Sequence, residues 1–323
     1  MDRGRARRPL RVGLLFGTTC LVVPALAFAD PPLPSAAAGE HAWWIWTAAL
    51  FLVTLGIGII APLAGIGGGV LFVPVVSSFF PFHVDFVRAT GLLVALSGSL
   101  AASPRLLRAN LASLRLTMPL ALVSSIASIF GATVGLALPE RTVQLTFGIV
   151  LLGVVLVMLL AKSSETPVVR QPDRLAAMFG IDGSYFELCA GREITWKVHR
   201  TPLALVLFFF VGLIAGMFGV GAGWASVPVL NLVMGAPLKI AVATSTLLLY
   251  ATSTSAAWIY IHRGCLVPLI VVPSIAGVMI GSRLGVWMLR HARPVHVRWV
   301  VLALLTFSGI KALTRGLGLP FLF

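Results

Sequence analysis

Charged residues are few in this sequence, and acidic residues are the scarcest of them. Among 323 residues there are 10 Asp+Glu and 24 Lys+Arg, so that only 11% of the chain is charged. A soluble domain carries about 25% charged residues, and half of that supply cannot cover a soluble surface of this size. Together with 59% hydrophobic residues, the shortage excludes a soluble enzyme, a disordered chain and a fibrous repeat. We predict an all-α polytopic membrane protein whose main solvent is the lipid bilayer.

Cysteines are equally scarce. The chain contains Cys20, Cys189 and Cys265, which show no Cys-x-x-Cys spacing. This pattern excludes a disulfide framework and the common zinc-binding arrangements. We expect three unrelated thiols, no bound metal and no cofactor.

The positions of the acidic residues restrict the substrate. All ten fall in predicted tails or loops: Asp2, Asp30, Glu40, Asp85, Glu140, Glu165, Asp173, Asp182, Glu187 and Glu193. Cation pumps and proton relays usually keep a carboxylate inside the membrane. The sequence therefore favours an anionic or neutral substrate over a metal cation.

The first 29 residues have the form of an export signal. A basic start precedes the apolar residues 12–25, and Ala27-Phe28-Ala29 has the small-x-small form of a cleavage sequence. Residues 1–29 are therefore predicted to be a signal peptide or an uncleaved signal anchor. Both alternatives place residue 30 outside the cell.

Ten apolar stretches follow, in two groups of five. They lie at roughly 43–64, 66–80, 87–104, 116–138, 143–161, 202–218, 224–236, 240–261, 266–288 and 297–315. Most are long enough to cross the roughly 30 Å hydrocarbon core as helices, whereas 66–80 and 224–236 are short. We predict a first transmembrane repeat over 43–161 and a second over 202–315.

A polar segment, residues 162–200, separates the two groups and is predicted to be a cytoplasmic linker. Within it, Ser184–Leu188 and Ile194–Val198 flank a short polar turn and could pair as a small hairpin. About 39 residues are too few for an enzyme domain without disulfides or a metal.

The positive charges indicate how the stretches cross. If all ten cross, 19 of the 24 Lys+Arg lie inside. The five outer ones are then Arg88, Arg141, Arg263, Lys311 and Arg315. If the two short stretches re-enter instead, the division becomes 12 against 12. Because Lys and Arg concentrate in cytoplasmic loops, the pattern favours ten crossings, and it accounts for the net charge of +14 without nucleic acid as a partner.

The two groups of stretches repeat each other at an offset of 154 residues. Gly65-Ile66-Gly67-Gly68-Gly69 recurs as Gly219-Val220-Gly221-Ala222-Gly223, and Ala89-Thr90-Gly91 recurs as Ala243-Thr244-Ser245. Because each group has an odd number of stretches, the second enters from the opposite face. The halves are therefore predicted to be inverted repeats with short broken helices after the glycines, as in many secondary transporters.

The two glycine-rich motifs are the sharpest candidate for a binding site. Successive glycines can turn backbone N–H groups toward one anion, and a helix that begins beyond them adds the positive end of its dipole. The candidate residues are Gly65, Gly67, Gly68, Gly69, Gly219, Gly221 and Gly223. The alternative is close helix packing through Gly-x-x-x-Gly spacing, which we prefer for the later glycine pairs at 131/135 and 281/285.

Thr90, Thr244 and Ser245 complete the candidate site, because a hydroxyl can donate to an oxyanion without carrying charge. The alternative is that each hydroxyl bonds back to its own helix. Asp85 and Arg88 are interpreted as an ion pair at the membrane interface. No catalytic constellation is visible, since the histidines at segment ends have no paired carboxylate, and we predict that the chain is not an enzyme.

These motifs, in this order and duplicated, resemble the sulfite exporter TauE/SafE family of membrane transporters over roughly residues 45–315. The resemblance implies export or uptake of small sulfur-containing anions and organic acids, such as sulfite and sulfonates. The sequence departs from the family pattern where Ala222 replaces a glycine, where bulky Trp224 follows, and where Gly91 stands for the usual serine. These departures bear on the particular substrate.

The sequence thus predicts a secondary transporter of a small anion in a bacterial-type inner membrane. Its partners would be the small anionic substrate and the lipid bilayer, and a homo-oligomer is compatible with the pattern. Two alternatives stay open: an anion channel, in which backbone dipoles select the ion, and a non-transporting membrane scaffold that acts through residues 162–200.

Overall fold

The computed structural model describes residues 43–318, with gaps at 65–66, 81, 109–110, 161–172, 188–191 and 289–293. The predicted export signal, the first glycine of the first motif, Gly65, and the start of the linker lie outside the described residues. Within the described ranges the chain is almost entirely helical, and its one sheet has two strands.

The helices follow the order of the apolar stretches. The first half contains α1 (Trp43–Ala64), α2 (Gly68–Phe79), α3 (Val84–Arg108), α4 (Leu114–Ala137) and α5 (Glu140–Leu160). The linker contains α6 (Arg174–Phe179), β1 (Asp182–Glu187) and β2 (Arg192–Lys197). The second half contains α7 (Thr201–Phe218), α8 (Gly223–Pro228) with a π-helical turn (Val229–Val233), α9 (Leu238–His262), α10 (Pro268–Met288) and α11 (Pro294–Gly316).

Seven of the described helices are long and apolar enough to cross a membrane, namely α1, α3, α4, α5, α7, α9 and α10. Two apolar helices are short: α2, and α8 with its π-helical turn. The prediction of an all-α polytopic membrane protein is confirmed. Ten crossings, and the boundaries of the two repeats, stay predictions.

The sequence repeat is also a repeat of helices. Both α3 and α9 have 25 residues, and α9 begins and ends 154 residues after α3. The short helix after the first motif ends at Phe79, and the π-helical turn after the second motif ends 154 residues later at Val233. Equivalent segments of the two halves are therefore helical over nearly the same positions, although a π-helical turn stands in the second half where α2 continues as an α-helix.

Helices α3 and α9 run antiparallel beside each other. Near the start of α3, the guanidinium of Arg88 lies over the ring of Tyr260, 5.7 Å from its centroid and near the end of α9. Beyond the end of α3, the backbone N–H of Ser113 donates to the Thr244 hydroxyl near the start of α9, at 3.4 Å. Equivalent helices of an inverted repeat are antiparallel, as α3 and α9 are here. The inversion of the complete halves across a membrane stays a prediction.

The later glycine pairs are contact points between the halves. A Cβ on Gly131 or Gly135 of α4 would lie well within 3.0 Å of a backbone carbonyl oxygen of α7. A Cβ on Gly281 or Gly285 of α10 would meet a carbonyl oxygen of α1 in the same way. Because only glycine allows helix backbones to approach so closely, each half packs one glycine pair against the other half's first helix.

The linker holds a hairpin that docks on the helices. Strands β1 and β2 pair antiparallel, with Asp182 opposite Lys197, so that each strand begins two residues before the predicted one. The short helix α6 was not predicted. Ile181 and Trp196 are buried in one cluster with Leu116 of α4 and Phe208 of α7, so the linker shares a hydrophobic core with the helices.

Asp173 ties the linker to the second half. Its Oδ1 accepts hydrogen bonds from the N–H of Ala176, at 3.3 Å, and from the hydroxyl of Thr201, at 2.8 Å. Its Oδ2 accepts from the N–H of Thr201 at 3.1 Å. One carboxylate therefore caps α6 and also bonds the first residue of α7.

Candidate functional site

The two glycine-rich motifs lie against each other beside α3. A Cβ on Gly69 would be 2.7 Å from the carbonyl oxygen of Gly91 and 3.0 Å from that of Val220. A Cβ on Gly91 would be 2.7 Å from the carbonyl oxygen of Gly219. Real Cβ atoms do not approach this closely, so the absence of side chains allows the two motifs to meet. The tertiary fold thus brings together motifs that lie 154 residues apart in the sequence.

Leu249 of α9 lies between the two motifs. A Cβ on Gly67 would be 2.5 Å from Cδ1 of Leu249, and a Cβ on Gly221 would be 2.7 Å from its Cδ2. The repeat relates Leu249 to Ala95 of α3, whose Cβ lies 3.3 Å from the same position on Gly221. The space beside the two motifs is therefore filled by one large side chain, Leu249, and one small side chain, Ala95.

The backbone at both motifs has the conformation that glycine permits. Gly67 has φ 82° and precedes α2, and Gly221 has φ 71° and precedes α8. Ala222 follows with φ −82° and ψ −3°, and an alternation of positive and negative φ turns successive N–H groups to one side. Gly68 and Gly223 are the first residues of the two short helices.

The three predicted hydroxyls are fully buried but are engaged elsewhere. Thr90 donates to the carbonyl oxygen of Phe86 at 2.8 Å, and Ser245 donates to that of Val242 at 2.8 Å. Thr244 accepts from the N–H of Ser113. Thr90 and Ser245 thus follow the alternative in which a hydroxyl bonds to its own helix.

A different hydroxyl lies at the meeting of the motifs. Ser253 of α9 is fully buried, and its Oγ is 3.4 Å from the position of a Cβ on Gly221. This oxygen has no hydrogen-bond partner in the described part of the chain, and neither does the indole N–H of Trp224 just beyond the motif. Buried polar groups are almost always paired, so an unpaired hydroxyl at this position requires an explanation.

Arg88 is buried to an extent that the sequence did not indicate. The predicted ion pair forms, with Nη2 of Arg88 2.9 Å from Oδ1 of Asp85. However, Arg88 is only 1% exposed, and the same nitrogen donates to the carbonyl oxygen of Gly135 at 2.9 Å. Arg88 is therefore buried within the protein near the start of α3, whereas its position relative to the membrane interface stays a prediction.

Two acidic residues also differ from expectation. Asp85 and Glu140 lie in the first turns of α3 and α5, where a carboxylate interacts favourably with the helix dipole. His83 lies 3.6 Å from Asp85, measured from Nδ1 to Oδ2, so that this histidine does have a neighbouring carboxylate.

Two pockets share Arg88 as a wall. The larger, of about 230 Å³, is also lined by His83, Asp85 and Glu140. The smaller lies between α2, α5 and α11. Its polar and charged lining residues are Ser77, Ser78, Arg88, Gln144, Lys311 and Arg315. None of the motif glycines lines either pocket.

Metal-ligating side chains are dispersed. Among the residues whose placement is described, no three His, Cys, Asp or Glu side chains come together as a metal site would require. Cys265 is a free thiol in the connection between α9 and α10, and burial raises its pKa above that of an ordinary cysteine, with a further increase from the Asp85 carboxylate.

Comparison with known families decides the classification. The family described as Sulfite exporter TauE/SafE matches residues 50–312. This range includes both glycine-rich motifs and every long helix, except for the first residues of α1 and the last residues of α11. The chain belongs to the sulfite exporter TauE/SafE family. The resemblance inferred from the motifs is therefore confirmed, and the chain is a multi-pass membrane transporter.

Two relatives of this TauE/SafE chain carry transporter names. Probable membrane transporter protein YunE of Bacillus subtilis (strain 168) is 24% identical over 277 residues, which cover 83% of this chain and 98% of the relative. Probable membrane transporter protein MJ0441 of Methanocaldococcus jannaschii is 24% identical over 277 residues, which cover 81% of this chain and 93% of the relative. No solved structure matches the chain.

The fold explains one departure of this member from the family pattern. Where the pattern has serine, this chain has Gly91, and a side chain there would meet Val73 and the carbonyl oxygen of Gly219. The glycine is therefore a packing requirement of this chain. The sequence could not indicate that Ser253 lies beside the motifs, because it is one hydroxyl among several in α9. It indicated the ion pair of Arg88 with Asp85 but not the burial of Arg88, because burial depends on the packing of other helices.

Proposed function

We propose that this chain is a secondary transporter that moves a small anion across a bacterial-type inner membrane. The proposed substrate is a sulfur-containing oxyanion, a sulfonate or a small organic acid. The charge distribution supports an anion, because Arg88 is the one buried charged side chain in the described part of the chain, and no described carboxylate is buried. Carboxylates are absent from the buried part of the described structure, although Arg88 itself is paired with the partly exposed Asp85.

The observation that carries this proposal is the unpaired Ser253 hydroxyl at the meeting of the two glycine-rich motifs. In our proposal, Ser253 Oγ donates a hydrogen bond to an oxygen of the anion. The backbone N–H groups around Gly67 and Gly221 donate others, and the first N–H groups of α2 and α8 have no partner within their own helices. Negative charge is then stabilised by dipoles and hydrogen bonds alone.

The residues predicted from the sequence contribute to the proposed site in different ways. Gly65, Gly67, Gly68, Gly69, Gly219, Gly221 and Gly223 supply backbone. Thr90 and Ser245 donate their hydroxyl hydrogens to carbonyl oxygens of their own helices. Either side chain would have to rotate before its hydroxyl could donate to the anion. Thr244, which accepts from Ser113, keeps its hydrogen available for donation.

Leu249 is the proposed closing element. Its side chain fills the space beside Gly67 and Gly221, where the anion would otherwise contact the backbone. Movement of α9 by part of a helical turn would withdraw Leu249 and admit the anion. A transporter with a midplane site needs such an occluding contact in order to expose the site to one side at a time.

The test is anion flux into proteoliposomes that contain the full chain, with sulfite, thiosulfate, methanesulfonate and acetate as substrates. Ser253→Ala should raise the KM for the transported anion about tenfold or more, because a hydrogen bond to a charged group contributes about 1.5–3 kcal/mol. Ser274→Ala is the matched control, since Ser274 is equally buried but donates to its own helix at 2.6 Å. Equal KM values for Ser253→Ala and wild type would overturn the site.

The same vesicles separate a carrier from the alternative of an anion channel. A carrier preloaded with unlabelled anion shows counterflow of labelled anion against its gradient, and its flux saturates. A channel shows neither property. Absence of counterflow with intact anion flux would therefore replace the transporter proposal with a channel.

A further inference from the structure

We propose that Arg88, Lys311 and Arg315 form a second anion-binding site, separate from the meeting of the glycine-rich motifs. The site is the smaller pocket between α2, α5 and α11, referred to below as the basic pocket. The chemical class of its ligand, a small oxyanion, rests on the proposed function, whereas its location rests on the geometry alone.

The charge of the basic pocket is uniform. The pocket is lined by Arg88, Lys311 and Arg315, which are three of the five cations predicted to lie on the outer side of the membrane. No Asp or Glu is among its lining residues, and Gln144, which does line it, is held by a hydrogen bond to Glu140 at 2.8 Å. Three positive charges around one cavity with no lining carboxylate attract an anion.

The buried arginine retains donor capacity. Its Nη2 is occupied by Asp85 and by the carbonyl oxygen of Gly135, which is what a purely structural arginine would require. Its Nε is buried and has no hydrogen-bond partner among the described residues. A purely structural role accounts for Nη2 and leaves the Nε–H group unexplained, whereas an anion in the basic pocket would accept from it.

Lys311 and Arg315 have spare donors as well. Lys311 Nζ donates to the carbonyl oxygen of Ser78, and Nη1 of Arg315 donates to that of Ser77 at 2.9 Å. These contacts satisfy two carbonyls in the last turn of α2, as cations at a helix C-terminus often do. Each contact uses one N–H, while a lysine carries three donors and an arginine five.

The size of the basic pocket restricts how the ligand binds. Its volume is about 20 Å³, which is close to the space that one water needs. A polyatomic oxyanion therefore binds only when the partly exposed Lys311 and the exposed Arg315 swing outward. This movement would release the end of α2, whose first turn belongs to the first glycine-rich motif. Binding at the basic pocket is thereby connected to the helix that begins at the transport site.

The experiment measures binding of sulfite to the purified full-length chain by calorimetry in oxygen-free buffer, with methanesulfonate as a second probe. Lys311→Gln and Arg315→Gln remove one positive charge each but keep an amide that can donate to the α2 carbonyls. We expect each variant to weaken binding about tenfold. Arg263→Gln is the control, because Arg263 is exposed, lies at the end of α9 and does not line the pocket.

The outcomes separate this proposal from the proposed function. Weakened binding in Lys311→Gln and Arg315→Gln, with wild-type affinity in Arg263→Gln, supports the basic pocket even if no flux is found. Wild-type affinity in both variants overturns it, and so does equal weakening in all three, which would indicate only general attraction by charge. If Ser253→Ala raises the KM for flux while both pocket variants bind sulfite normally, the transport site stands and the basic pocket fails.

Arg88 itself is tested by a paired substitution, because removing it alone would leave Asp85 without its partner. Arg88→Gln combined with Asp85→Asn removes both charges of the ion pair. We expect the double variant to lose sulfite binding at the basic pocket while Asp85→Asn alone retains it. Retained binding in a folded double variant would overturn the role of Arg88; if the double variant does not fold, the Lys311 and Arg315 variants still decide the proposal.

Discussion

Leu249 occupies the space that a side chain on Gly67 would need, with its Cδ1 2.5 Å from the ideal Cβ position. Its other methyl group, Cδ2, lies 2.7 Å from the ideal Cβ position of Gly221 in the second glycine-rich motif. The repeat gives the equivalent position of α3 to Ala95, so the two halves fill equivalent places with side chains of different size. Leu249 is therefore one of the residues at which the two halves of the candidate site differ.

Replacement of Leu249 should weaken the fold at the meeting of the motifs. Leu249→Ala leaves a cavity between α9 and both motifs, and a buried Leu→Ala change costs about 2–5 kcal/mol. We expect a clear fall of the apparent melting temperature in detergent. Leu203→Ala is the control, because Leu203 lies on the exposed face of α7 and should change the temperature little. Equal melting temperatures for both variants would contradict a packed Leu249.

A methyl group on Gly69 should separate the motifs. In Gly69→Ala the new Cβ meets two backbone carbonyls, which cannot rotate away as a flexible side chain can. We expect Gly69→Ala to have both a lower melting temperature and a lower anion flux than the wild type. Gly153→Ala on α5 is the matched control, since nothing lies within 4 Å of the position of its Cβ and alanine is the better helix former. Normal behaviour of Gly69→Ala would refute the close contact.

Asp173 should control the attachment of the linker. Asp173→Ala removes the acceptors for Ala176 and Thr201, and the loss of a helix cap costs about 1 kcal/mol. We expect faster hydrogen exchange in α6 and at the start of α7. Asp173→Asn should show an intermediate effect, because one amide oxygen still accepts. Unchanged exchange in Asp173→Ala would show that the hydrophobic contacts of the hairpin suffice.

The predicted inversion of the halves can be tested by labelling. Arg108 ends α3 and Arg263 follows the end of α9, so these equivalent ends should lie on opposite sides of the membrane. In a chain whose native cysteines are replaced by serine, a membrane-impermeant maleimide should label Arg108→Cys from one side and Arg263→Cys from the other. Labelling of both from the same side would disprove the inversion.

The reactivity of Cys265 should depend on pH in a defined direction. Burial, assisted by Asp85, raises the pKa of this thiol, so less of the reactive thiolate is present at pH 7 than for an ordinary cysteine. Alkylation of Cys265 should therefore be slower than that of Arg263→Cys in a Cys265→Ser background. The difference in rate should narrow as the pH rises toward 9 and above. Equal rates at pH 7 would contradict the raised pKa.

Much of the fold could be predicted from local pattern. The apolar stretch at 240–261 corresponds to α9, Leu238–His262, and the short stretch at 66–80 corresponds to α2, Gly68–Phe79. Such agreement is expected, because the length of an apolar run and the presence of glycine at its start act on neighbouring residues. The hairpin was located to within two residues for the same reason.

The candidate site could be predicted only in part. The glycine-rich motifs were identifiable because they recur at a constant offset, but which hydroxyl lies beside them depends on how α9 is rotated. Thr90 and Ser245 bond to their own helices, whereas Ser253, eight residues beyond Ser245, faces Gly221. No property of a single helix distinguishes these residues.

The sequence by itself determined the solvent, the class of fold, the repeat and the family of this protein, because composition, apolar length and motif order are properties of the chain alone. The tertiary structure decided which distant residues meet. It placed Leu249 between the motifs, left Ser253 without a hydrogen-bond partner among the residues that the structure describes, and brought Arg88, Lys311 and Arg315 to one pocket. Burial and contact depend on the packing of several helices at once, and for that reason a scarcity of carboxylates could indicate an anion while only the fold could indicate where it would bind.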